Sequence, residues 1–279
     1  PWSLRGPLQV TASGYQVSGL QLRVGDSRLE GNGMLDVSRP RPRLDLRLSA
    51  PSIQLDDFPL PERLADPSEP VGTAESLRRS AGKVAVRSER LLGAGFLRRF
   101  DSYLAVEAQE VLAGDDRLAD GSLRVQVVDG HLFIGPAELN IPGGTLRLAA
   151  EYDPGQSEVA LSAGAYVERF DYGIIARRLG RGGNVRGLAS LNLALAGKAP
   201  SLDTIMHHAD GQVDFAVWPT ELRSGVFSLW SVNLLLTLVP LIDPGGDAVL
   251  NCVIGRFDLK DGRLSDDRII IDTTRVRVR

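Results

Sequence analysis

The residues of this chain that could do chemistry are few, and their spacing argues against it. His207 and His208 are adjacent, so on a helix their side chains point about 100 degrees apart and do not readily share a metal ion. His131 follows a turn at Asp129-Gly130 and reads as a strand-end residue. The acid pairs Asp56-Asp57, Asp115-Asp116 and Asp266-Asp267 resemble the paired carboxylates of acid–base catalysis, but each is expected in a loop, as solvated turn acids. A single cysteine, Cys252, excludes an internal disulfide and a thiolate metal cluster. Its place in an apolar run implies a buried, inert thiol. Neither a Gly-x-Ser-x-Gly elbow nor a His-Glu-x-x-His sequence occurs. "GRGGN" and "GNG" lack the strand-then-helix setting of a phosphate cradle, and Lys198 in "GKAPS" has no glycine at the upstream spacing. The expectation is no enzyme, no cofactor and no metal.

Charge and composition exclude further classes. The 279 residues carry a net charge of -3, with acidic and basic side chains mixed along the chain. Aromatics are 6% and do not interleave with arginine as a base-stacking surface would, so no nucleic acid is expected. No signal peptide opens the sequence. The longest uncharged apolar run, 225–242, is shorter than the roughly 20 residues that span a bilayer, and Ser, Asn, Thr and Pro interrupt it. It reads as a buried helix capping one end of a sheet; the other reading, a helix resting on a membrane, would want a basic polar face that it lacks.

What must position any site is a set of strands, because the dominant signal is period two. Leu44, Leu46 and Leu48 share one face of a run, as do Leu123, Val125 and Val127. Leu132 and Ile134 follow the Asp129-Gly130 turn; then come Leu146 and Leu148, the series Leu191, Leu193 and Leu195, and finally Val213, Phe215 and Val217. Between them are polar or small residues, the pattern of an antiparallel sheet with one wet face. Turns are expected at Gly31-Asn32-Gly33, Asp120-Gly121, Asp129-Gly130, Gly143-Gly144, Asp210-Gly211 and Asp261-Gly262. Short helices are expected near 171–180, capped by Asp171, near 201–209, capped by Ser201, and near 225–240. The stretch 59–82, rich in Pro, Ser, Glu and Arg, reads as a flexible loop. The organisation is thus a β segment over 1–58, a linker with a short helix over 59–100, and a longer β region over 101–279. So few helices cannot cover so much apolar sheet. The face must meet a second sheet, giving a closed β-sandwich, or stay open as a groove for a ligand.

A resemblance bears on that choice. "ASLNLALAGKAPSLDTIMHHADGQVDFAVWP", "NLLLTLVPL" and "NCVIGRFDLKDGRLSDDRIIIDTTRVRV" resemble the C-terminal region of the AsmA family of Gram-negative bacteria. "DSRLEGNGMLDVSRPRPRLDLRLSAPSIQLDDF" and "FIGPAELNIPGGTLRLAAEYDP" resemble its repeated strand–turn elements. The motifs are turn and strand patterns whose shared order, rather than any single match, carries the likeness. It implies a mainly β fold, a long curved antiparallel sheet forming an apolar trough with a few short helices. It implies phospholipid acyl chains as the partner, moved between inner and outer membrane in support of envelope integrity. It also implies a periplasmic location, an inner-membrane anchor absent from this sequence, a chain that runs on beyond Arg279, and possible envelope protein partners. The trough lining would be the alternating Leu, Val, Ile and Phe named above. The other reading is an assembly factor for outer-membrane proteins, with a closed β core and no groove.

Overall fold

In the computed structural model the described residues are 2–58, 92–114, 116–155, 157–173, 186–221, 250–274 and 277–278. The expected helices near 171–180 and 225–240 and the loop at 59–82 lie outside them, save for 171–173. Strands make up 71% of the described residues, and most belong to one sheet of 15 strands that does not close on itself.

At one edge, β1 (Trp2–Arg5) and β2 (Leu8–Val10) both pair with β3 (Gly14–Val24), which is followed by β4 (Ser27–Asp36) and β5 (Arg43–Ala50). The chain then leaves the sheet to form β6 (Ile53–Gln54), a 3-10 turn at Leu55–Asp57 and a short helix, α1 (Ala94–Leu97). It returns as β7 (Asp101–Ala108), parallel to β5, so the sheet is antiparallel except at this pair. Next, β8 (Val111–Ala113) and β9 (Asp116–Arg117) join β6 in a separate three-stranded sheet. The meander then runs in chain order through β10 (Gly121–Val128), β11 (His131–Ile141), β12 (Gly144–Asp153), β13 (Val159–Asp171), β14 (Arg186–Ala199), β15 (Ala209–Glu221), β16 (Leu250–Lys260), β17 (Arg263–Thr273) and β18 (Arg277–Val278).

Local chemistry sets the hairpins. Asp129 and Gly130 have φ of 54° and 85°, and Asp261 and Gly262 have 46° and 68°. Positive φ at both central residues is the type I′ geometry whose twist matches paired strands, and Asp-Gly supplies it at low cost. Seven irregularities in register fall along the described ladders, and four of them show how the faces are preserved where the period breaks. Between Val17 and Leu20, Ile134 and Ala137, and Val167 and Phe170, two residues intervene instead of one; a further shift falls at Arg256/Phe257 opposite β17. Gly19, at φ 65°, takes the extra residue of the first, and its N–H donates to Asn32 Oδ1 at 3.2 Å. Such bulges let apolar residues on either side stay on one face.

Several expectations change. Gly31-Asn32-Gly33 is not a turn but the middle of β4, because a Cβ at Gly31 would overlap the Arg47 carbonyl of β5; the hairpin lies at Gly25-Asp26, between Val24 and Ser27. Asp210-Gly211 lies within β15, where Asp210 accepts from the Asp261 N–H at 2.9 Å and from Lys260 Nζ at 3.0 Å. Asp266 and Asp267 lie in β17, and Asp116 in β9, not in loops. The helix near 201–209 contracts to a 3-10 turn at Ile205–His208, since Ala209 already begins β15; Ile205 is buried, while Met206, His207 and His208 are exposed. Cys252 is half-buried on the polar face. A closed sandwich is not what the described residues form.

Candidate functional site: an apolar trough

Cross-strand partners in a ladder share a face, so the register shows which side chains lie together. Leu46 pairs with Leu104, Leu104 with Val125, and Val125 with Ile134. Leu148 pairs with Ala165, Ala165 with Leu193, Leu193 with Val213, and Val213 with Phe257. Parallel rows run alongside. Leu44, Leu48, Leu123, Val127, Leu132, Leu146, Leu191, Leu195, Phe215 and Val217 all fall on the same face. The alternating residues identified from the sequence are therefore brought together on one continuous surface.

The opposite face is polar. Arg43 binds Asp45 at 2.9 Å, Arg147 binds Glu138 at 3.1 Å, and Arg256 binds Asp214 at 2.6 Å. Arg47 lies over Tyr103 and Arg169 over Trp218. These exposed pairs contribute little stability individually; their effect is to keep that face in water. A hollow of about 440 Å³ lies on this side across β13–β17, lined by Ala216, Ile254 and Ile270 together with Asn192, Asp214 and Arg256. The trough itself is an open gutter rather than a pocket.

Among the described residues, two small covers shape the gutter. On one rim, β6, the Leu55–Asp57 turn and β8 lay Ile53, Leu55 and Val111 over Leu20, Leu29 and Leu48. Asp57 fastens this cover: its Oδ2 accepts from Asp26 N at 3.0 Å, Ser27 N at 2.8 Å and Ser27 Oγ at 2.6 Å. The Ser27 hydroxyl holds the carboxylate below the usual range; desolvation opposes it, and the backbone donors of Ser27 and Asp26 add to the lowering. Asp56 accepts from Gly114 N at 2.8 Å, tying in β8. The pair is therefore structural rather than a set of free turn acids. On the other rim, Leu97 of α1, with Leu92 and Leu202, packs on Val127, Tyr152, Leu132 and Leu161. Because the covers sit on opposite rims at different strands, the exposed apolar lane follows the strand middles. Ile134 and Leu148 are exposed along it, and Leu44 is exposed near the start of β5.

The sequence reading missed Leu104, Val106, Leu139, Tyr152, Leu161, Val167, Val253, Phe257 and Ile271 on this face. "SYLAVEA" carries a period-two signal for the first two, but in "VALSAGAYV" small residues at Ala163 and Ala165 flatten the contrast. Among the described residues, no group of His, Cys, Asp or Glu could hold a metal ion, and no helix is long and apolar enough to cross a membrane.

A single open sheet with one apolar and one polar face, lengthened strand by strand, defines a class: proteins that present an extended greasy surface without enclosing it. The AsmA family model matches residues 8–266, and the chain belongs to that family. No curated protein and no solved structure matches it. Membership associates the chain with the bacterial envelope, in a lipid-handling or assembly role.

Proposed function

We propose that this chain binds phospholipid by its acyl chains and conducts it along the trough between inner and outer membrane, from the periplasm. The observation that carries the reading is the continuity of the apolar lane across β5–β16 through all the changes of register. A surface of that kind stabilises acyl chains by about 0.8 kcal/mol per buried methylene. It offers each chain nearly equal neighbours along its length, so no strong polar contact stops a lipid from sliding. The headgroup stays in water at the open side. At about 4.8 Å per strand the sheet is about 60 Å long, longer than one lipid, which suits a bridge better than a single-site carrier. The trough works at the inner membrane, and no bond is made or broken.

The test is lipid extraction and mass spectrometry on protein purified from bacterial membranes, beside a variant carrying Val125→Glu and Leu193→Glu. Both substitutions place a carboxylate in the lane without touching either cover. Phospholipid is expected with the parent and absent from the variant, with circular dichroism unchanged. A parent free of lipid would defeat the reading.

A further inference from the structure

Tyr152 lies on the apolar face of β12, between Leu132 of β11 and Leu161 of β13, and is 6% exposed. Leu97 and Val127 pack on it, and α1 is held over it by Arg98 Nη2, which donates to the Gly155 carbonyl at 3.2 Å. Among the described residues its hydroxyl has no hydrogen-bond partner. On so deeply buried a residue, a hydroxyl without a partner is a cost that a phenylalanine would avoid. Toward the strand middle the next residue on this face is Ala150, flanked by Ile134 and Ala163. Two alanines leave room beside the ring, and Ile134 there is 37% exposed. The residues between the tyrosine and the exposed Ile134 are thus small. Burial raises the tyrosine pKa, with the charge of Asp153 adding to it, so the group remains a neutral donor.

We propose that the Tyr152 hydroxyl donates a hydrogen bond to the carbonyl oxygen of an ester that links an acyl chain to glycerol, so that the trough distinguishes ester-linked from ether-linked lipids. The inference rests on the reading of the lane as a lipid path. An ester carbonyl fits better than a phosphate: a charge seated among Leu97, Val127 and Leu132 would lose its hydration, whereas a neutral carbonyl needs only one donor.

Lipid-stripped protein is offered mixed vesicles of a diacyl phospholipid and its dialkyl ether analogue, matched in headgroup and chain length, and the retained lipid is quantified by mass spectrometry. One hydrogen bond corresponds to a preference of the parent for the ester of about 2- to 12-fold. In Tyr152→Phe the ratio falls to one, ether retention is unchanged, and the thermal midpoint does not drop. Equal retention by the parent, a ratio that needs no folded variant to interpret, overturns the proposal while leaving the lane reading intact. So does a Tyr152→Phe protein that keeps the ester preference. Retention of neither lipid by the parent overturns the lane reading, and this proposal with it.

Discussion

Asp57 illustrates what the polar residues of this chain do. Its carboxylate gathers the N–H groups of Asp26 and Ser27 and the Ser27 hydroxyl, joining the cover over one rim to the β3–β4 turn. Its pKa is lowered in the folded protein, so its contribution to stability is present above the unfolded carboxylate value. That contribution is lost as pH falls through the folded value. Asp57→Ala is expected to lower the thermal midpoint at neutral pH and to speed hydrogen exchange at Ile53 and Val111, while amides of β14 and β15 are unchanged. The difference from the parent should shrink as the pH falls into the acid range. Uniform exchange across the sheet would contradict the local role. The sequence located Asp56-Asp57 but not its partners, because Ser27 is 30 positions away and nothing in "GDSRLEG" signals a long-range bond.

At the scale of the element, alternation made the apolar face legible and topology did not follow from it. Leu44, Leu46 and Leu48 or Leu191, Leu193 and Leu195 declare a face by spacing alone. The parallel pairing of β5 with β7 depends on where a long excursion returns, which spacing does not encode. Glycine misled in a specific way: Gly31 reads as turn chemistry, yet it permits β4 to approach β5 where a Cβ would meet the Arg47 carbonyl and the Leu48 Cα. Gly31→Val is therefore expected to destabilise by about 1–3 kcal/mol, the usual range for overpacking, as read by chemical denaturation. A neutral result would mean that the two strands separate freely. Gly255 is the same case within the trough, since the Phe215 ring lies over it and stacks on Phe257 at 5.8 Å.

At the scale of the molecule, one surface persists while the strands that build it change length, bulge and in one case pair in parallel. Open sheet and apolar face were both legible in outline. The choice between a trough and a sandwich was not, because both bury the same alternating residues and differ only in what lies opposite. Among the described residues, two small covers lie there, on opposite rims, and much of the apolar face between them is open. The most direct measurement is site-specific photo-crosslinking in bacterial membranes, with a photoreactive residue placed in turn at Leu46, Arg47, Leu104, Ala105, Leu193 and Ala194. The account predicts lipid adducts at Leu46, Leu104 and Leu193 and none at their neighbours on the polar face. Adducts on both faces alike, or on neither, would contradict a trough that carries lipid.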